Sequence, residues 1–258
     1  MKKVLAAAML TCAMTLAHSS VLLYSQDFEA PTGFVNDGGD INIFRTVNQL
    51  YGNQPPGFAF AQNFTVETLM IGGNQAFGTG YKDPQGVGGQ FALGMLSGLF
   101  GTQDDLLGLS FNVGAFKFLN FSIDISSIDL DRFGCPCVPV GGAVPSFRLS
   151  LFDNPSGTTG LGTGTLLSSV DISGNSSPDR AIFDWSHHIV ALDATGNSNG
   201  NVTVRIDLLT SGYASMDNFI IAASDTPGDV TVPEPATGAI VAFGLGAIVL
   251  VRRRFERS

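Results

Sequence analysis

The chain has 258 residues, 44% hydrophobic and only 14% charged, with 13 Lys and Arg against 22 Asp and Glu and a formal net charge of −9. Six of the basic residues stand at the two ends, Lys2, Lys3, Arg252, Arg253, Arg254 and Arg257, so the region between them is more acidic than the whole. Such a surface repels phosphate backbones and excludes nucleic acid as a partner, whereas its carboxylates suit calcium and equally serve the solubility of an exported protein.

Residues 1–19 carry Lys2 and Lys3, an apolar stretch from Val4 to Leu16, and the small-residue site Ala17-His-Ser19. That order reads as a secretory signal peptide, with Ser20 the first mature residue. Cys12 lies inside this leader and follows Met-Leu-Thr, which lacks the small residue of a lipid-attachment signal.

The region 20–229 is long enough for one all-β domain. Leu119, Phe121, Ile123 and Ile125 alternate with Asn120, Ser122 and Asp124, and the same period of two recurs at Phe147–Leu151 and Val202–Leu208. This is the pattern of half-buried strands. Further strands are expected at Leu22–Phe28, Ile41–Val47, Gln75–Tyr81, Gln90–Leu96, Leu106–Val113, Leu166–Ile172, Ala181–Leu192 and Ala214–Ala222. Asn-, Gly- and Pro-rich turns separate them, among them Asp153-Asn-Pro-Ser-Gly157 and Gly196-Asn-Ser-Asn-Gly200. About ten short strands without a convincing amphipathic helix predict an antiparallel β-sandwich of jelly-roll type. The Gly-rich stretch from Phe77 to Gly101 fits either strands joined by long loops or an excursion over the surface.

Asp27-Phe-Glu29 and Tyr213-Ala-Ser-Met-Asp-Asn-Phe-Ile-Ile221 resemble the opening and closing strands of jelly-roll carbohydrate-binding modules. The resemblance implies neighbouring chain ends and a structural calcium held by Glu29 and Asp217, with Asp27 as a substitute. Calcium needs six to eight oxygens, so backbone carbonyls would complete its shell; a loop cap at Asp217 is the alternative. A sugar site would also need an exposed aromatic platform. The candidates are Trp185, Tyr51 and Tyr81, although Trp185 alternates with Phe183 and so shares a face with a core residue.

Signs of catalysis are sparse, and no catalytic residue is assigned. His187 and His188 are adjacent, so on a strand they point to opposite faces and cannot readily share a metal. Gly160-Leu-Gly-Thr-Gly164 precedes a strand rather than a helix, which leaves no helix N-terminus to face a phosphate. Cys135-Pro-Cys137, in a Pro- and Gly-rich loop, reads as a loop-stiffening disulfide, a redox pair or two thiols bound elsewhere. Asn-x-Ser/Thr sequons stand at Asn63, Asn120, Asn175 and Asn201.

The tail, 230–258, supplies the address. Pro233-Glu234-Pro235 is followed by an uncharged apolar run from Ala236 to Val251 and then by Arg252, Arg253 and Arg254. As a helix the run would span about 24 Å, short of a hydrocarbon core of ~30 Å, with the arginines held on the cytoplasmic side. This order resembles the sorting tail of PEP-CTERM proteins. The resemblance implies an exosortase-type membrane protease as partner, Pro233, Glu234 and Pro235 as its recognition motif, a transmembrane helix at 236–251 and Arg252–Arg254 as the stop. Three other readings stand beside it: the Leu-Pro-x-Thr-Gly signal of sortases, from which Glu234-Pro-Ala-Thr-Gly238 differs by its glutamate; a GPI signal, which should end without an arginine cluster; and an uncleaved single-pass anchor. The sequence thus predicts an exported protein that is held transiently in the inner membrane and then resides at the cell surface or in the extracellular matrix. Its expected role is structural or adhesive and non-catalytic. A calcium-stabilised carbohydrate-binding module acting on extracellular polysaccharide, and a polysaccharide hydrolase, are the alternatives.

Overall fold

A computed structural model describes residues 20–35, 45–63, 66–72, 80–96, 106–128, 144–210 and 213–231. Within them lie eleven strands and one short helix: β1 (Val21–Gln26), α1 (Val47–Leu50), β2 (Phe60–Gln62), β3 (Val66–Met70), β4 (Phe91–Leu96), β5 (Leu106–Asn112), β6 (Phe118–Ser127), β7 (Ser146–Asp153), β8 (Leu166–Ser173), β9 (Ser186–Asp193), β10 (Asn201–Thr210) and β11 (Tyr213–Ser224). One sheet runs β3-β4-β11-β6-β9, with β1 also pairing β11, and the other runs β2-β5-β10-β7-β8. All named pairs are antiparallel.

The period of two seen in the sequence is the packing rule of the sandwich. Leu119, Phe121, Ile123 and Ile125 of β6 meet Phe147, Leu149 and Leu151 of β7 and Val202, Val204, Ile206 and Leu208 of β10 in one core, all with no exposed surface. Burying a side chain of this size contributes roughly 1.5–3 kcal/mol. The long alternating strands at the centre of each sheet therefore dominate its stability.

Three expectations meet a different chain. Of the expected strand at Ile41–Val47, residues 41–44 lie outside the described ones, and Val47 opens α1 rather than ending a strand. Val47 and Leu50 enter the core, while Asn48 exchanges two hydrogen bonds with the Phe60 backbone, at 2.6 and 2.9 Å. This turn of helix thereby covers the edge strands β2 and β3. Gln75–Tyr81 lies outside the described residues except for Gly80 and Tyr81, and Tyr81 belongs to no strand. Within Ala181–Leu192 only Ser186 onward is strand; before it the chain makes a single parallel bridge, Lys82 with Ile182.

Strands β2 and β3 carry no alternating signal. β2 has three residues, too few for a period to show. In β3, Thr68 lies on the inner face with Val66, and Glu67 is as buried as Leu69 on the other, because a second layer covers the outer face of the six-stranded sheet. That layer is the Gly-rich stretch, whose described part folds back over the sheet before entering β4. Asp83 builds it by accepting the Gln85, Gly86 and Gly88 amides at 3.2, 3.0 and 2.7 Å. Beneath it Leu69, Ile71, Tyr81, Ala92, Ile128, Ala181, Phe183 and Trp185 form a small separate core.

Candidate functional site

The residues singled out at the two ends of the domain converge on β11. Its first half pairs with β4 and its second half with β1 on the same side, while β6 runs along the other. The change of partner falls at an irregularity between Asp217 and Ile220, where Asn218 takes a φ of +53°. An asparagine tolerates this left-handed region better than most residues. Phe28, just past β1, has a φ of +54°, so the two segments expected to meet are both bent where they meet.

Asp217 is 1% exposed. Its Oδ1 accepts the Asn218 amide at 2.7 Å, whereas its Oδ2 is buried without a hydrogen-bond partner. Burial pushes its pKa up to about 8, and the nearby charges of Glu29, Asp124 and Asp27 push the same way. Glu29 is held differently. Its carboxylate accepts the Gln90 amide at 3.0 Å and the Phe91 amide at 3.4 Å. Asp27 is exposed and accepts the Glu29 amide at 3.2 Å. Tyr51, in the same neighbourhood, donates to the Phe28 carbonyl at 2.7 Å, and burial keeps its hydroxyl protonated. The three carboxylates are thus neighbours, but among the described residues no three His, Cys, Asp or Glu side chains stand close enough to hold a metal between them.

On the solvent side of Asp217, Asp124 of β6 joins two partners. Its Oδ1 lies 2.8 Å from His187 Nδ1, and its Oδ2 accepts Asn218 Nδ2 at 2.9 Å. His188 points the other way, as adjacent strand residues must. It pairs across from Ile123, and burial with the neighbouring His187 lowers its pKa. The histidines therefore share no ligand direction.

None of the three aromatic candidates for a sugar platform is exposed. Trp185 is 4% exposed, Tyr51 3% and Tyr81 8%. Trp185 is roofed by Gly88, where an added Cβ would come within 2.5 Å of the indole. Gln85 brackets its backbone, donating to the Trp185 carbonyl at 3.1 Å and accepting its amide at 2.5 Å. No ring face is left for a sugar; the indole fills the second core instead. The alternation of Trp185 with Phe183 points to this core position, and what the local sequence does not show is the cover, which comes from residues 80–90, a hundred positions away.

Among the described residues, hollows of about 200 Å³ open on the surface. One is lined by Asp153, Asn154, Thr158, Thr203 and the turn Gly160–Gly164, which leads into a strand as expected. Its polar groups face one another: Asn154 Nδ2 donates to the Thr158 carbonyl and to Thr203 Oγ1, and Asp153 accepts the Ser198 amide and hydroxyl. Another is lined by Gln26, Thr32, Tyr51, Asn53 and Gln54. Cys135 and Cys137, the motif Pro233-Glu234-Pro235, the segment 236–251 and Arg252, Arg253 and Arg254 lie outside the described residues. Among the described residues no helix is long and apolar enough to cross a membrane.

Comparison with solved structures finds distant likenesses. A cyclase from Fischerella sp. in its apo form is 14% identical, covering 81% of this chain and 98% of its own at a TM-score of 0.46. The K3 cleaved adhesin domain of Lys-gingipain from Porphyromonas gingivalis W83 is 11% identical, covering 79% and 99%, at 0.38. A CBM61 module in complex with β-1,4-galactotriose is 10% identical, covering 65% and 88%, at 0.34. At such values nothing about ligands or chemistry transfers to this chain. No curated protein matches the sequence. The tail is more specific: residues 231–254 match the PEP-CTERM protein-sorting motif. The chain carries a PEP-CTERM sorting tail, which marks it as an exported protein anchored in the membrane for processing by an exosortase.

Proposed function

We propose that the sandwich is a non-catalytic module, delivered by its sorting tail to the cell surface or extracellular matrix, where its role is structural or adhesive. The observation that carries this reading is the PEP-CTERM match, which begins at Thr231, the last described residue of the domain. Consecutive strands from β4 to β11 alternate between the sheets except at β7–β8, which supports reading these eight strands as a jelly roll. Producing cells that lack this chain but keep their exosortase should shed matrix more readily than wild type under shear, and unchanged cohesion would contradict the role.

A second reading is favoured by one atom. Asp217 Oδ2 is a buried oxygen without a hydrogen-bond donor, and a calcium ion would satisfy it. The residues present fit such an ion in part: Asp217 would be its buried ligand, Glu29 its nearest fixed charge, and backbone carbonyls the remainder. The ion would tie the β1 end to β11 and serve stability rather than catalysis. Such a module would bind extracellular polysaccharide. Retention of the processed chain on the producer's own polysaccharide, abolished by a chelator, is the expected result. Retention that a chelator leaves intact would remove calcium from the account.

A further inference from the structure

The chain leaves the sandwich through residues 225–231, and one side chain fastens this exit to the sheet. Asn120 of β6 has no exposed surface and sits between Ala191 of β9 and Ala222 of β11. Its Oδ1 accepts the Gly228 amide at 2.7 Å. Its Nδ2 faces Ser224 Oγ at 2.8 Å, the Asp229 carbonyl at 3.0 Å and the Thr226 carbonyl at 3.1 Å. A buried amide is costly unless bonded, and all four of these partners belong to the end of β11 and the exit that follows it. Beyond them the Thr231 amide donates to Asp229 Oδ1 at 3.0 Å. The Thr231 carbonyl accepts the hydroxyl of Ser20, the residue that leads into β1. The held segment therefore reaches Thr231, and only Val232 separates it from Pro233.

We propose that Asn120 is a positioning residue for processing of the sorting motif. Its clasp keeps the upstream flank of Pro233-Glu234-Pro235 folded onto the domain, so that the clasp must open before the cut. Strand addition, one common mode of peptide recognition, needs the segment extended, and residues 225–231 are turned and bonded instead. When opening is fast relative to cleavage, the rate follows the population of the open form. One typical hydrogen bond is worth roughly fivefold in that population. The buried position also means that the Asn120 sequon offers no glycan acceptor in the folded domain.

The inference rests on the tail being an exosortase substrate, and the experiment separates the two. Four full-length chains are expressed in the producing cells: wild type, Asn120→Ala, a chain with a six-residue Gly-Ser linker between Val232 and Pro233, and the combination. Conversion of precursor to processed chain is followed by pulse-chase. Asn120→Ala should shorten the precursor half-life by ~5-fold or more. The linker alone should do the same, and adding Asn120→Ala to the linker should gain nothing further, a non-additivity that mere destabilisation would not produce. Ser20→Ala, which removes a bond at the rim of the exit, should accelerate processing to a smaller degree and serves as the test if Asn120→Ala fails to fold. Equal half-lives in wild type and variants overturn the clasp alone. No processing in any chain overturns the clasp and the exosortase reading together.

Discussion

Phe183 and Trp185 stack with ring centroids 5.4 Å apart and planes 8° from parallel, and both are sealed beneath the stretch that leads into β4. The pair is the centre of a second core on the outer face of the six-stranded sheet. Trp185→Ala should cost about 3–5 kcal/mol, as expected for removing a large buried aromatic. The free energy of unfolding from denaturant titration checks this, and a loss below 1 kcal/mol would show that the indole is not packed.

Asp217 gives stability an unusual pH dependence. Its folded pKa, about 8, lies above the ordinary carboxylate value. Between about pH 4 and pH 8 the folded chain holds a proton that the unfolded chain has lost. The group's contribution is full below that window and falls as pH rises through it, by a few kcal/mol at ~1.4 kcal/mol per unit. Asp217→Asn should remove this slope, so that the variant gains on wild type as metal-free samples are taken from pH 5 to pH 8. Thermal melts at the two pH values, with and without calcium, read it directly. Calcium should raise the wild-type midpoint at pH 8 more than at pH 5 and leave Asp217→Asn unmoved.

Gly89 tests whether Glu29 belongs to the same site. It has a φ of +52°, and a Cβ there would fall 2.0 Å from Glu29 Oε1. Gly89→Ala should therefore displace the carboxylate from the Gln90 and Phe91 amides and weaken any calcium-dependent rise in the melting midpoint. An unchanged calcium response in a folded variant would separate Glu29 from Asp217.

His188 has the opposite sign to Asp217. Its folded pKa is lowered by burial, so the unfolded chain takes up a proton first as pH falls below ~6.5. His188→Gln should remove this group's own unfavourable contribution on acidification, so that the variant gains on wild type from pH 7 to pH 5 in the same melts.

How much of this is legible depends on which faces are polar, whether or not they are wet: β6 alternates although its polar outer side is buried. Strands β6, β7 and β10 announced themselves because each has a largely polar outer side, as at Asn120, Arg148 and Arg205. Strand β3 did not, because Glu67 is buried by a segment that the local sequence cannot show to be overhead. The meeting of Asp27, Glu29 and Asp217 could be foreseen from the resemblance of the two strands. The unpartnered oxygen on Asp217 could not, since it depends on the bend at Asn218. For Trp185 the shared face with Phe183 points to a core, but the cover over that face is not local in sequence, since burial on an outer face is a property of what folds over it. Asn120 sat in plain view as a polar residue in an alternating strand, with nothing local to distinguish it from Ser122.

The fate of the tail decides where the chain resides, and intact-mass spectrometry of the chain recovered from producing cells reads it. Export and exosortase processing should yield a mature species beginning at Ser20 and ending near Pro233–Pro235, without the apolar run and arginines, which disappears when Pro233, Glu234 and Pro235 are replaced by alanine. A chain that retains Ser258 and stays with the membrane, unaffected by those substitutions, would contradict it.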